Sequence, residues 1–377
     1  MIYRDFQDMK LSALGFGSMR LPVVDGNDAQ IDEAAALAMV DYAMAHGVNY
    51  YDTAWGYHSG NSELVMGKAL ARHPRESFFL ATKFPGYDLA NMDKVEEIFE
   101  AQLQKCGVKY FDFYLFHNVC EMNIDAYLDE AHGIFAYLKA QRDKGRIRRL
   151  GFSAHGSRAV MERFLNAYGK DMEFCQIQLN YLDWDFQDAK GKVELLKAWG
   201  IPVWVMEPLR GGKLASLAPA DEQKLRALRP DEDIAAWAFR FLQSLPEVKV
   251  VLSGMSNLEQ LEKNLATFSE DKPLREEEMD ALLAIAKDMV GKIALPCTAC
   301  HYCVSHCPQG LDIPSLLALY NEHSFTGGGF IAPMVVSTIP KEKQPSACIG
   351  CRSCEAVCPQ QLKISEAMAD FAAKLGA

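Results

Sequence analysis

The sequence predicts an α/β protein: a closed (β/α)8 TIM barrel over residues 1–290, followed by a small iron–sulfur domain over 291–377. Three observations predict this. Eight short apolar runs recur between residues 11 and 254, and most are followed by a helix-like stretch. A cysteine motif is written twice in the tail. Polar residues stand at the ends of consecutive apolar runs, where a barrel of this kind carries its chemistry.

The apolar runs, in order, are LSALGFGSM (11–19), VNYYDT (48–53), FFLATKF (78–84), FDFYLFHN (111–118), RRLGFSA (148–154), FCQIQLN (174–180), IPVWVM (201–206) and VKVVLSG (248–254). Their near-continuous apolar character suits strands covered on both faces. Amphipathic helical patterns fall between them at 31–47, 94–107, 124–145, 157–169 and 233–244, and a last one follows at 257–268. An open doubly wound sheet is the structural alternative. It wants a Gly-x-Gly-x-x-Gly turn after a strand, and Gly15-Phe16-Gly17 is only a fragment of that signature. A charged helix over 269–290 leads out of the barrel. Trp199, Trp204 and Trp237 read as barrel packing, and Cys106, Cys120 and Cys175 as packed thiols.

The tail reads Cys297-x-x-Cys300-x-x-Cys303-x-x-x-Cys307-Pro308, and again Cys348-x-x-Cys351-x-x-Cys354-x-x-x-Cys358-Pro359. A cubane cluster needs thiolates converging on one small volume, and two residues between ligands bring three there at once. Zinc sites usually use two cysteine pairs separated by a longer loop, and disulfide frameworks belong to small secreted domains. Two 4Fe–4S clusters are therefore expected. The tail resembles the bacterial-type dicluster ferredoxin module. That resemblance implies that the fourth cysteine of each run crosses over. Cys297, Cys300, Cys303 and Cys358 would hold one cluster, and Cys348, Cys351, Cys354 and Cys307 the other. Between the runs, IPSLLALYNEH reads as a helix and FTGGGF as a flexible turn.

The net charge of −11 sits in the first 290 residues, because the tail has six Lys or Arg against six Asp or Glu. A negative body argues against a nucleic-acid partner. No run reaches the length of a membrane span, and MIYRDFQDMK lacks an apolar signal core. A reducing cytoplasm is the expected setting for eleven cysteines, eight of them cluster ligands.

In the barrel, strand two ends at Asp52, followed by Tyr57. Strand three ends at Lys83 and strand four at His117. All four are expected at one mouth. An ammonium beside a phenol lowers its pKa, a carboxylate keeps the ammonium charged, and a histidine can polarise a carbonyl oxygen. Such a set can donate a proton to a carbonyl oxygen as hydride reaches its carbon.

With YYDTAWGYHSGNSELVMGKAL, FFLATK, FYLFHN, GFSAHG, QIQLNY and NLEQLEKNL in place, the first 270 or so residues resemble the aldo/keto reductase family. The whole chain resembles its members with a ferredoxin-like tail. The resemblance implies NAD(P)H-dependent carbonyl reduction with Tyr57 as general acid, Lys83 and Asp52 tuning it, and His117 positioning substrate. It implies nicotinamide contacts at Ser153 and Gln176, a pyrophosphate loop with Leu209 and Gly211, and an adenine contact at Asn264. Several positions depart from the family pattern. Met206 replaces an aromatic, Glu207 a Ser, and Ala154 an Asn, while Gly254 and Gln260 stand where a Lys and an Arg hold the 2′-phosphate. NADP and NAD both stay open, with Lys263 and Arg210 as other cations and Arg20 as a mouth residue. Phe84, Trp55 and Tyr87 are expected on an apolar pocket wall, and His58, His155, His301 and His306 as solvated loop residues.

Three functions stay open for the clusters: service to an electron partner such as a flavoprotein or ferredoxin, a structural role, and direct action on a substrate. Nicotinamide moves two electrons as hydride, whereas a cluster moves one at a time. Non-catalytic alternatives are a redox-sensing or regulatory barrel that binds nicotinamide, and a pure electron carrier.

Overall fold

The computed structural model describes residues 1–291, 295–297, 300–301 and 303–376. The chain divides into two compact units, Met1–Leu283 and Ala284–Ala377. The helix Glu276–Gly291 runs across that division, and the expected boundary near 290 falls at its end.

The first unit is a closed parallel barrel entered through a hairpin. β1 (Tyr3–Phe6) and β2 (Met9–Ser12) pair antiparallel around a turn with Gln7 at positive φ. The barrel strands are β3 (Leu14–Gly17), β4 (Tyr50–Asp52), β5 (Phe79–Phe84), β6 (Phe111–Val119), β7 (Ile147–Ala154), β8 (Cys175–Gln178), β9 (Val203–Met206) and β10 (Val248–Gly254). They pair in sequence order, and β10 closes onto β3. All eight expected apolar runs are barrel strands. The first run is longer than its barrel strand: Leu11 and Ser12 belong to β2.

The hairpin floors the barrel. Phe6, Met9 and Leu11 join Tyr50, Ala81, Phe113, Phe174, Trp204 and Val250 in one buried cluster. Phe113 sits among four rings of it, with centroids 5.0 Å from Tyr50, 5.2 Å from Phe174, 5.8 Å from Trp204 and 6.0 Å from Phe6. Apolar filling of the lower barrel leaves the upper end free for polar side chains.

The helix expected over 124–145 is broken. Ile124–Leu128 and Ile134–Asp143 are helical, and a short 3-10 turn lies between them. Asp129 is extended and its carboxylate accepts from Ala131 N at 2.9 Å, so it caps rather than continues the helix. Gly133 follows at φ 65°, a left-handed conformation most side chains avoid. Trp204 and Trp237 are fully buried, whereas Trp199 is only half-buried.

The second unit contains the helices Ile313–Thr326, Ile331–Thr338 and Ile364–Lys374, and no strand among its described residues. Its core gathers Leu311, Ile313, Leu316, Leu317, Ile364 and Met368 with Cys303 and Cys354. The expected helix runs on to Thr326, so only Gly327 onward forms the turn.

Phe113→Ala is expected to cost roughly 3–5 kcal/mol, because it empties the centre of a closed ring cluster that cannot collapse. The measurement is denaturant unfolding of the barrel followed by its circular dichroism.

Candidate active site

The upper end of the barrel is organised by Lys83, which β5 places inside with no exposure. Its Nζ donates to Asp52 Oδ1 at 2.5 Å and to the Thr53 carbonyl at 2.8 Å, and lies 3.5 Å from the Tyr57 hydroxyl. Asp52 ends β4 and Tyr57 follows on the next turn. Beneath, Gln102 Nε2 donates to the Lys83 carbonyl at 2.9 Å and to Glu63 Oε1 at 2.7 Å, and its own oxygen accepts from Tyr114 at 2.6 Å. The lysine therefore stands on a buried polar network with few rotamers open to it.

His117 is brought in by an irregularity. The β6–β7 register shifts between Phe116 and Val119, and Asn118 takes φ 58°. Such a bulge re-aims a side chain at a barrel rim. Ser153 Oγ holds it by accepting from Asn118 N at 2.8 Å, and Tyr127 donates to the His117 carbonyl at 2.8 Å. The His117 ring meets Tyr57 edge-on at 6.1 Å and Tyr87 at 5.2 Å. Its Nδ1 is buried and has no hydrogen-bond partner among the described residues. Tyr87 comes so close to Gly56 that a Cβ there would lie 2.3 Å from its hydroxyl. Asp52, Tyr57, Lys83 and His117 are thus brought together. Of the expected wall, Tyr87 and Trp55 stay partly exposed, but Phe84 is fully buried against Tyr127.

Burial pushes the Tyr57 phenol above its ordinary value. The Lys83 ammonium pulls it down but does not win, so the net direction is opposite to the one expected from the sequence. Burial pulls Lys83 down, and Asp52 and Tyr57 together more than restore it, so the ammonium stays charged. Burial raises the Asp52 carboxyl against the pull of Lys83. His117 is pushed well below its ordinary value, first by burial and then by Lys83. The site thus holds a protonated phenol, a charged amine and a neutral imidazole.

Of the residues expected around a nicotinamide dinucleotide, Ser153 and Gln176 lie at the ends of β7 and β8, Leu209 and Gly211 in a loop, and Asn264 on the helix Leu258–Thr267. Gln176 is buried on β8, its Nε2 is 3.7 Å from Met206 Sδ, and its Oε1 has no hydrogen-bond partner among the described residues. An orphaned amide oxygen at this rim fits a carboxamide N–H donor. Leu209 and Gly211 lie in the loop after β9, where Gly211 takes φ 66°. Asn264 is buried and its amide donates to Ser253 Oγ at 3.0 Å, bracing the end of β10. Arg210, an open candidate for a phosphate-binding cation, is engaged within the protein. Its guanidinium is buried and held by Asp183 at 2.9 and 3.1 Å. Lys263 pairs with Glu259 at 2.8 Å. The Arg20 stem lies over Gly254, with Nη2 3.8 Å from Glu207.

His58 is not a solvated loop residue: it is 3% exposed and bonded on both ring nitrogens. It and Ser59 adopt left-handed conformations (φ 52° and 56°), each costing on the order of 1–2 kcal/mol. No spacing rule signalled it, since its partners lie thirty or more residues upstream. His155 is likewise partly buried rather than solvated, whereas His301 and His306 are exposed.

In the second unit the eight cysteines surround two cavities. Cys297, Cys300, Cys303 and Cys358 line one, and Cys307, Cys348, Cys351 and Cys354 line the other. Ile364 lines both. Among the described residues no group of three His, Cys, Asp or Glu side chains is arranged to hold a single metal ion. Four free thiols converging on each apolar pocket fit a polynuclear cluster better than one ion.

A (β/α)8 barrel with this set at the strand ends is an oxidoreductase barrel. Residues 13–287 match the aldo/keto reductase family, and the chain belongs to that family. Residues 296–363 match a 4Fe–4S dicluster domain. Among curated relatives, the NADH-specific methylglyoxal reductase of Escherichia coli is 26% identical over 57% of this chain and 68% of its own length. The L-galactose dehydrogenase of Arabidopsis thaliana is 24% identical over 74% of this chain and 93% of its own. A Bacillus halodurans aldo-keto reductase structure in its holo form has the same fold, with a TM-score of 0.61 at 24% identity. It covers 76% of this chain and 96% of that one.

His155 is held down to about 4 by burial and then by Lys192, and His117 is depressed as well. Unfolding returns both to ordinary imidazoles near 6.5, so below that pH the unfolded chain binds more protons. Stability is complete above about 6.5 and lost as pH falls towards 4. Thermal melts across this window should show a falling midpoint, and His155→Gln should flatten part of the slope.

Proposed function

We propose that the barrel reduces a carbonyl substrate with NADH or NADPH, with Tyr57 giving the proton. The observation that carries this is the Lys83 ammonium held between the Asp52 carboxylate and the Tyr57 hydroxyl inside the barrel mouth. The nicotinamide, when bound, supplies hydride to the carbonyl carbon. Ser153, Gln176, Leu209, Gly211 and Asn264 would hold it. Tyr57 passes its phenol proton to the carbonyl oxygen, on which negative charge develops. Lys83 stabilises the phenolate left behind, and Asp52 keeps Lys83 protonated while the phenol titrates. His117, neutral at working pH, orients the carbonyl by hydrogen bonding without competing for the proton. Gly254 and Gln260 give a 2′-phosphate no cation, and Arg210 is committed to Asp183, which supports acceptance of NADH. A small ketoaldehyde of the kind named for the Escherichia coli relative is the natural first assay substrate.

The eight tail cysteines would hold two 4Fe–4S clusters in the two fours that line the cavities. Each cluster supplies one-electron chemistry, which fits exchange with a ferredoxin or flavoprotein partner. Cluster thiolates need a reducing compartment, so the reading includes a cytoplasmic setting. Among the described residues no helix is long and apolar enough to cross a membrane.

Tyr57→Phe should lower kcat for carbonyl reduction by roughly 10²–10⁴, the usual worth of a positioned proton donor, and leave the iron content unchanged. Stopped-flow NADH oxidation and iron analysis measure both. If activity survives, the proton comes from elsewhere. For the tail, Cys358→Ser should disturb the cluster held by Cys297, Cys300 and Cys303, although Cys358 lies 55 positions beyond Cys303 in the chain. Iron and sulfide analysis with EPR of the reduced protein checks this. A disturbance confined to the Cys348 run would contradict the crossing.

A further inference from the structure

We propose that His58, in its Nδ1–H tautomer, is a positioning residue that staples the 21–31 loop to the turn carrying Tyr57. The inference rests on the reading of Tyr57 as proton donor. Three contacts define the staple. His58 Nε2 accepts from Leu21 N at 3.1 Å, so it carries no proton. Nδ1 lies 2.8 Å from the Asp28 carbonyl, which can only accept, so the proton is on Nδ1. Three residues on, Asn61 Nδ2 donates to the Ala29 carbonyl at 3.0 Å. One loop is thus bound at Leu21, Asp28 and Ala29 by two side chains of one turn.

That turn would not hold its shape by itself. His58 and Ser59 both stand in the left-handed region, and Gly60 follows at φ 90°. Such a run persists where surrounding contacts over-determine it. A shift of the turn moves the Tyr57 hydroxyl, whose 3.5 Å separation from Lys83 Nζ is already at the limit of a hydrogen bond. The ring's tautomer is set by two backbone groups, and the exposed Asp28 carboxylate also approaches Nδ1, at 3.1 Å.

The test uses the full cluster-loaded chain and His58→Gly. Glycine favours the left-handed backbone, so the variant loses the ring but gains no strain. The expected result is a fall in kcat of about tenfold or more, with NADH affinity by fluorescence changed less than about threefold. Added imidazole should restore part of the rate, and proteolysis should open within 21–31. A kcat within about threefold of the wild type, or a loss that imidazole does not answer, overturns the proposal. Ring nitrogen NMR of the unaltered protein gives a readout apart from activity: Nδ1 should be the protonated nitrogen and Nε2 the bare one. A ring protonated on Nε2 overturns the staple. If the unaltered protein reduces no carbonyl, the Tyr57 reading fails, while the ring NMR and the 21–31 proteolysis still decide the staple.

Discussion

A charged lysine with no exposure is the constraint around which the barrel mouth is built. Transferring an ammonium out of water costs several kcal/mol even after relaxation, and an ion pair recovers this only with good geometry and every proton satisfied. Lys83 meets those terms through Asp52 Oδ1 and the Thr53 carbonyl, with the Tyr57 hydroxyl as a third, longer contact. The weakest of the three is the one the proposed chemistry needs: the ammonium is anchored by its strong contacts and would be left available to stabilise a phenolate. Removing Asp52 would strand the charge and cost on the order of 3–5 kcal/mol. The pair is retained for its electrostatics rather than as a source of stability.

The layers below and beside it serve the same geometry. The aromatic floor around Phe113 and Trp204 fills the lower barrel, so polar groups gather only at the strand ends. Glu63, Thr82, Gln102 and Tyr114 form a buried network behind Lys83. A bulge at Asn118 turns His117 towards the opening, and the turn at His58 and Ser59 places Tyr57 opposite it. Both of these segments hold non-glycine residues in the left-handed region, at His58, Ser59 and Asn118.

The strand ends were legible in the sequence because a parallel barrel reads as eight apolar runs, and the residue that closes each run must face the mouth. Lys83 and Asp52 were readable for that reason, and the doubled cysteine spacing was readable because three ligands lie within one turn. What could not be read depends on partners distant in the chain. The floor hairpin is too short to show a period. The break at Asp129–Gly133 sits inside a helical pattern, and Arg210 is withdrawn from the mouth by Asp183, 27 residues away. His58 is the clearest case: its neighbours in sequence suggest a polar loop, and only the folded chain supplies Leu21 N and the Asp28 carbonyl. The direction of the Tyr57 shift was misjudged because depth of burial is not visible in a motif.

The proposed function puts two redox chemistries on one chain: hydride in the first unit and single electrons in the second. An anaerobic titration of the cluster-loaded protein with NADH, then NADPH, separates them most directly, with nucleotide absorbance and cluster EPR followed before and after a small aldehyde is added. Hydride transfer confined to the barrel predicts that nucleotide is oxidised only when the aldehyde arrives, and that the clusters stay unreduced by nucleotide alone. Cluster reduction without a carbonyl, or nucleotide oxidation indifferent to one, would contradict it and make barrel and clusters a single electron path.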